Sequence, residues 1–144
     1  MANIIPDAFK LELLSGTHNF ADGGNTFKIA LYVTTLGPPY TTSSTVYSTD
    51  NEVSSSGTNY TTGGNALDGQ GVSVPGSNTA TVDFDNEVFS NVTLTSLGAA
   101  IYNDTNGDKL CVVIDFGGAK VATSGDFTIQ FPAVAASTAI IRVA

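Results

Sequence analysis

The sequence predicts an all-β fold, an antiparallel β-sandwich with one short N-terminal α-helix. Eight or so short runs rich in β-branched and alternating apolar residues are separated by Gly, Asn or Pro at nearly every break. Hydrophobic residues make up 42% of the 144 residues, enough for a buried core. We therefore expect a single sandwich domain over residues 1–144, with a jelly roll as one topology that fits.

The helix is predicted to start at Pro6 and Asp7 and to stop at Ser15 and Gly16. Proline is tolerated in a first turn, an acidic residue suits a helix N-terminus, and Ser-Gly is a typical stop. A helix this short is marginal alone and must pack on something. The apolar residues expected on or beside its packing face are Ala8, Phe9, Leu11, Leu13 and Leu14.

The remaining apolar runs are predicted to be strands. They lie at 26–33, 71–75, 79–84, 92–97, 98–103, 109–116, 126–131 and 139–143. In the second and third runs the apolar residues alternate, which places Ala80, Val82 and Phe84 on one face. Residues 99–116 form the clearest hairpin, because its loop contains the turn-favouring pair Asn106-Gly107. The pair Gly117-Gly118 is expected to end the strand that precedes it.

Two segments carry the residues that we expect to contact a partner. Residues 1–7 form an N-terminal arm, and residues 36–67 form a long polar excursion with one or two edge strands. A loop this long in a compact domain is usually functional or disordered, and tyrosine is enriched at interfaces. The alternatives are a frayed end and a solvent-facing tip. The candidate contact residues are Ile4, Ile5, Tyr40, Tyr47 and Tyr60.

The charge of the chain argues against several classes of partner. The formal net charge is −8 at pH 7, so nucleic acid and anionic membrane surfaces are not expected partners. No apolar run approaches the length of a membrane-spanning helix, and the N-terminus lacks the pattern of a signal peptide. We expect synthesis in the cytoplasm.

Catalytic, cofactor and metal sites are not expected. Residues 104–108, Asp-Thr-Asn-Gly-Asp, have the spacing of a short calcium loop but lack its distal glutamate, so a polar hairpin turn is favoured over a weak cation site. His18 follows the helix and is expected to cap it or to lie on the surface, although a triad cannot be judged from sequence order. Cys111 lies in an apolar strand and is expected to be a small buried side chain. An enzyme is therefore the least favoured class.

Three stretches resemble a family of small structural proteins encoded by tailed bacteriophages. The first is KLELLSGTHNF at 10–20 with DGGNTFKIALY at 22–32. The second runs from GAAIYN at 98–103 to VVIDFGG at 112–118, and the third from FTIQFP at 127–132 to AIIRV at 139–143. The likeness is weakest at residues 36–75.

The resemblance implies a virion structural protein made in the host cytoplasm. It points to a head decoration, or cement, protein on the capsid exterior that bridges and stabilises subunits of the major capsid protein, as a homotrimer. Two alternatives stay open: a tail or neck component, and a host-surface or carbohydrate-binding module on the virion. The family offers no catalytic motif.

Overall fold

The computed structural model describes residues 3–33 and 40–144, and its elements form a mainly antiparallel β-structure with one short helix. They are α1 (Asp7–Leu14), β1 (Phe27–Tyr32), β2 (Asn65–Ala66), β3 (Gly71–Gly76), β4 (Thr79–Asp83), β5 (Glu87–Asn103), β6 (Lys109–Ile129) and β7 (Ile141–Val143). The predicted fold class is confirmed. In the described ranges no helix is long and apolar enough to cross a membrane.

Two antiparallel sheets pack together. One has four strands in the order β2-β1-β5-β6, and the other has three in the order β3-β4-β7. The main core lies between them and includes Phe27 and Ile29 of β1, Val82 of β4 and Ile141 of β7. Because β2 belongs to the 36–67 excursion and lies at a sheet edge, the edge strand expected there is confirmed.

The four-stranded sheet is buried on both faces of its central strands. A second core of small and aromatic side chains lies on its outer face, where it includes Ala30, Tyr32 and Tyr102. Tyr40 and Tyr47 of the excursion and Ile4 of the arm belong to the same cluster and cover part of this face. A strand buried on both faces loses its simple alternation, so the sequence pattern showed only one of the two buried faces of β1.

Helix α1 has the predicted bounds but a different buried face. Pro6 occupies the N-cap position in extended conformation, and Ser15 ends the helix. Phe9 is the buried residue, whereas Leu11 is 67% and Leu14 is 91% exposed. The expectation that Leu11 and Leu14 are buried is wrong, because the helix meets the body through the side that carries Phe9 and Leu13.

Strands β5 and β6 form one long ribbon instead of four short strands. Their antiparallel pairing runs from Asn103 opposite Lys109 to Glu87 opposite Ile129, so the predicted hairpin is confirmed and extended. The expected break at Gly117-Gly118 is wrong. These glycines lie inside β6 at a register shift, where Gly117 takes φ +73. Glycine within a strand often occurs at such an irregularity in the strand pairing.

Candidate functional site

Buried and half-buried polar side chains join the end of α1 to the β5–β6 hairpin. We call this group, Glu12, His18, Asn25, Asn103 and Asn106, the clasp. His18 Nε2 lies 2.8 Å from Glu12 Oε2, and the side chain of His18 has no solvent exposure. On its other side, the Asn103 amide lies 3.0 Å from His18 Nδ1 and donates to Asn25 Oδ1 at 3.0 Å. The expectation that His18 caps the helix or lies on the surface is therefore wrong.

The clasp assigns one neutral tautomer to His18. The Asn103 Nδ2 group is a donor, so His18 Nδ1 accepts and His18 Nε2–H donates to Glu12. Turning the Asn103 amide over would break its bond to Asn25 and the bond that its Oδ1 accepts from the Asn106 main-chain N–H at 3.1 Å. Two neighbours, Glu12 and Asn103, thus fix the ring, which also packs on Phe9 with 5.0 Å between ring centroids.

Glu12 is the charged member of the clasp. Its second oxygen, Oε1, accepts a hydrogen bond from Lys109 Nζ at 2.8 Å, and its side chain is 13% exposed. Burial raises the pKa of the Glu12 carboxyl, but the hydrogen bonds from Lys109 and His18 and the charge of Lys109 outweigh burial and hold that pKa below its usual value of 4.5. The ionised carboxylate is therefore the form that stabilises the clasp.

Cys111, His18 and Glu12 lie in the order of a nucleophile, a base and an orienting acid. Cys111 Sγ is 3.8 Å from His18 Nδ1. The thiol is fully buried, and burial, with a smaller contribution from the Glu12 charge, raises its pKa well above the usual range. A protonated thiol with no route to solvent is a poor nucleophile. The burial predicted for Cys111 is confirmed. Cys111, His18 and Glu12 contribute to the packing of the interior.

A second polar cluster holds the excursion on the sheet. The Glu52 carboxylate accepts hydrogen bonds from the Tyr47 hydroxyl at 2.6 Å, the Tyr60 hydroxyl at 2.7 Å and the Gly63 main-chain N–H at 2.7 Å. The Tyr60 hydroxyl in turn accepts from the Leu31 N–H of β1 at 3.0 Å. Burial and the bond to Glu52 raise the pKa of both tyrosines, so both remain hydrogen-bond donors. The Glu52 carboxylate therefore links Tyr47 at one end of residues 47–63 to Gly63 at the other end.

The tyrosines expected at an interface are largely internal. Tyr40 and Tyr60 are each 3% exposed, and the Tyr40 hydroxyl lies 2.7 Å from that of Tyr32. Tyr47 is half-buried and stacks on Tyr102 at 4.4 Å between ring centroids. The expectation that Tyr40 and Tyr60 present their rings to a partner is corrected by their burial. Tyr47 alone keeps an accessible part. The excursion residues 36–39 lie outside the described residues.

The described part of the arm pairs with the chain's own sheet. Ile4 and Val113 of β6 exchange two main-chain hydrogen bonds, 2.9 and 2.8 Å long, and Asn3 Oδ1 accepts a hydrogen bond from the Asp115 N–H of β6 at 2.8 Å. Ile4 and Ile5 are half-buried against the two cores. These bonds cover the edge of β6, as native sheets commonly require. Residues 1 and 2 lie outside the described residues.

The loop with calcium-like spacing does not gather its oxygens. Asp104 pairs with Lys28 of β1 at 3.2 Å, while the Asn106 amide points inward and donates to the Thr17 carbonyl at 2.5 Å. Over residues 3–33 and 40–144, no three His, Cys, Asp or Glu side chains lie close enough together to hold a metal ion. The loop is a turn whose middle residue belongs to the clasp.

The three-stranded sheet presents an uncharged apolar surface, which we call the valine face. The register places Val72 opposite Val82, and Ala80 opposite Val143. Val72 is 58% exposed and Val143 is 55% exposed. Ala80 was predicted to share a strand face with Val82, and in the structure Ala80 is exposed whereas Val82 is buried. Together with Leu13 and residues 18–21 they line a groove of about 270 Å³, and the described residues in its walls include no Asp, Glu, Lys or Arg. Exposed apolar patches of this kind often mark binding surfaces.

A larger groove beside β6 differs in charge. It has a volume of about 490 Å³, and its walls include Phe116 and Phe127 together with Lys120 and Asp126. Val121, which is 67% exposed, also lines it. Charges of both signs at its walls set this groove apart from the valine face.

The sequence indicated neither the clasp nor the valine face as candidate sites. Three asparagines of the clasp lie at 25, 103 and 106, and their partnership depends on the hairpin folding back against the helix end. Asparagine beside glycine or aspartate is typical of a turn, so the sequence pattern does not indicate that these side chains form inward hydrogen bonds. The alternating apolar residues at 71–75 and 79–83 would have indicated the valine face if the first of these strands had been recognised as a sheet edge.

Comparisons with protein-family models, with curated proteins and with solved structures found no match for this chain.

Proposed function

We propose that this chain is a structural protein of a tailed-bacteriophage virion, and that it decorates the head. In this proposal it binds the outside of the shell through the valine face, bridges neighbouring subunits of the major capsid protein, and acts as a homotrimer. The observation that carries the proposal is the valine face itself, an uncharged apolar groove on a rigid sheet of a chain whose net charge is −8.

The distribution of reactive groups supports a binding role. The single His and the single Cys of the chain are both buried and internally bonded. The exposed large apolar side chains are mostly valines, and these bind by shape and apolar contact. Such a surface fits a partner of fixed shape, such as a shell of identical subunits.

The energy available at the valine face is modest for one copy. Full burial of a valine side chain contributes about 1.5 to 3 kcal/mol, and Val72 and Val143 are a little over half exposed. The two together therefore offer about 2 kcal/mol before the entropic cost of association. Binding by several linked copies multiplies a weak contact, so a homotrimer is the form that we expect to bind the shell.

The test is binding to heads of the parent phage assembled without this protein. Purified protein should cosediment with such heads to a saturating, symmetric occupancy and raise the temperature at which they rupture. Val72→Asp, which places a charge in the groove, should abolish binding. Val121→Asp, an equally drastic change on the exposed part of β6, should leave it intact. Absence of binding by the wild-type protein, or loss with Val121→Asp alone, would contradict the proposal.

The number of copies per particle distinguishes a protein that decorates the head from a component of the neck or tail. Hundreds of copies per particle support decoration of the shell, whereas six or twelve copies would indicate the neck or tail. The carbohydrate-binding alternative needs an aromatic platform, and two of the three tyrosines expected to form it, Tyr40 and Tyr60, are buried. A glycan array without binding would remove that alternative.

A further inference from the structure

Asn106 and Gly107 form the single Asn-Gly step of the sequence, in the loop between β5 and β6. This step is the one most prone to spontaneous loss of ammonia, because glycine leaves the following main-chain nitrogen sterically open to the asparagine side chain. Gly107 is exposed, and no atom of the described residues outside its own neighbours in the chain lies within 4 Å of a Cβ placed there. Open space therefore lies beside the Cα that carries the reacting main-chain nitrogen.

We propose that Asn106 is a deamidation site which the clasp protects, and whose modification opens the clasp irreversibly. The Gly107 nitrogen attacks the Asn106 side-chain carbonyl carbon, a C–N bond forms, and the side-chain nitrogen leaves as ammonia. Water then opens the resulting succinimide at either carbonyl. The product is aspartate or isoaspartate, and no oxidant or reductant is involved.

The native contacts of Asn106 oppose this attack. Its Nδ2 group donates to the Thr17 carbonyl at 2.5 Å and to Asn25 Oδ1 at 3.3 Å, while its main-chain N–H donates to Asn103 Oδ1. The side chain must leave both acceptors before its carbonyl carbon can swing toward Gly107. The reaction therefore requires prior opening of the clasp, at a rate set by local unfolding.

The product does not fit the site that Asn106 leaves. A carboxylate has no hydrogen to donate, so it would face two acceptor oxygens, those of Thr17 and Asn25, in a half-buried position. It would also add a negative charge between Asp104 and Asp108. Isoaspartate lengthens the main chain within a tight turn as well. Both products detach the end of α1 from the hairpin.

The experiment compares ammonia loss in native and unfolded protein. The wild-type chain is incubated at mildly alkaline pH with and without urea, and peptide mass spectrometry follows the amide-to-acid mass change at every asparagine. Because two hydrogen bonds must open first, we expect Asn106 to react about tenfold more slowly in the native protein than in urea. Equal rates, or faster reaction at another asparagine in urea, would overturn the proposal.

A variant tests the role of the clasp directly. Asn25→Ala removes one acceptor of the Asn106 amide and should speed native deamidation toward the rate in urea, whereas Asn59→Ala, an exposed asparagine outside the clasp, should not. Native protein aged until Asn106 is converted should match freshly made Asn106→Asp in thermal unfolding. Unchanged unfolding of Asn106→Asp relative to wild type would refute the link between modification and clasp opening. Head binding is measured separately, so this proposal and the proposed function fail independently.

Discussion

Replacing Glu52 with alanine should detach the excursion from the four-stranded sheet. The carboxylate accepts three hydrogen bonds of 2.6 to 2.7 Å, from two tyrosine hydroxyls and one main-chain N–H. A hydrogen bond to a charged group contributes about 1.5 to 3 kcal/mol, and the half-buried setting of Glu52 favours the lower value. Three such bonds give about 4.5 kcal/mol. In a chain of this size that loss lowers the melting temperature by about 13 °C.

Urea and thermal denaturation followed by circular dichroism measure this loss. Glu52→Gln keeps one acceptor oxygen and should lose about half as much, and Asp50→Asn, an exposed neighbour, should stay within about 0.5 kcal/mol of wild type. Hydrogen exchange gives the local readout, because the Val53 N–H that bonds the Leu31 carbonyl should exchange faster while amides of β5 change less. A Glu52→Ala variant within 1 kcal/mol of wild type would refute the reasoning.

Three further outcomes follow from close contacts and buried charges. Gly64→Ala should lower the free energy of unfolding by about 3 kcal/mol or more, because the φ of Gly64 is +75 and the new Cβ would lie 1.8 Å from the Ile29 carbonyl oxygen of β1. Gly57→Ala is the control, since Gly57 has a similar φ of +72 but open space around it. It should lower the free energy of unfolding by only about 1 kcal/mol in the same denaturation assay. Comparable losses in the two variants would exclude the clash. The Glu12 carboxyl has a native pKa below its ordinary 4.5, so its contribution to stability is full above pH 4.5 and is lost as pH falls through the lower native value. Glu12→Gln should therefore make the free energy of unfolding depend less steeply on pH in that acidic range. An unchanged dependence on pH would contradict this assignment. Cys111 should resist a thiol-reactive dye in native protein and react at the rate of global unfolding, whereas rapid native labelling would show that the thiol is accessible.

Strand and helix positions were largely predictable because local patterns determine them. The helix bounds, the β5–β6 hairpin and the central strand at 26–33 follow from capping residues, turn residues and alternation. The continuity of β5 and β6 was not predictable, since Gly117-Gly118 serves equally as a loop or as an irregularity within a strand. Tertiary pairing decides between the two, and one sequence does not show it.

The functional groups were harder to predict than the fold. Tyrosines in a polar segment resemble an interface, yet Tyr40 packs in the cluster on the outer face of the sheet and Tyr60 packs in the main core. His18 after a helix resembles a cap, yet it lies beside residues from the distant hairpin. In both cases the partner is remote in sequence, so only the folded arrangement shows whether a polar or aromatic side chain faces inward.

Cryo-electron microscopy of heads saturated with this protein most directly tests whether the chain binds the outside of the shell through its valine face. The proposal predicts repeated density of about 15 kDa per copy on the outer shell, consistent with the 14.8 kDa chain, with the β3-β4-β7 sheet turned toward the capsid surface. Density confined to the neck or tail, or a docked chain whose valine face points to solvent, would contradict it.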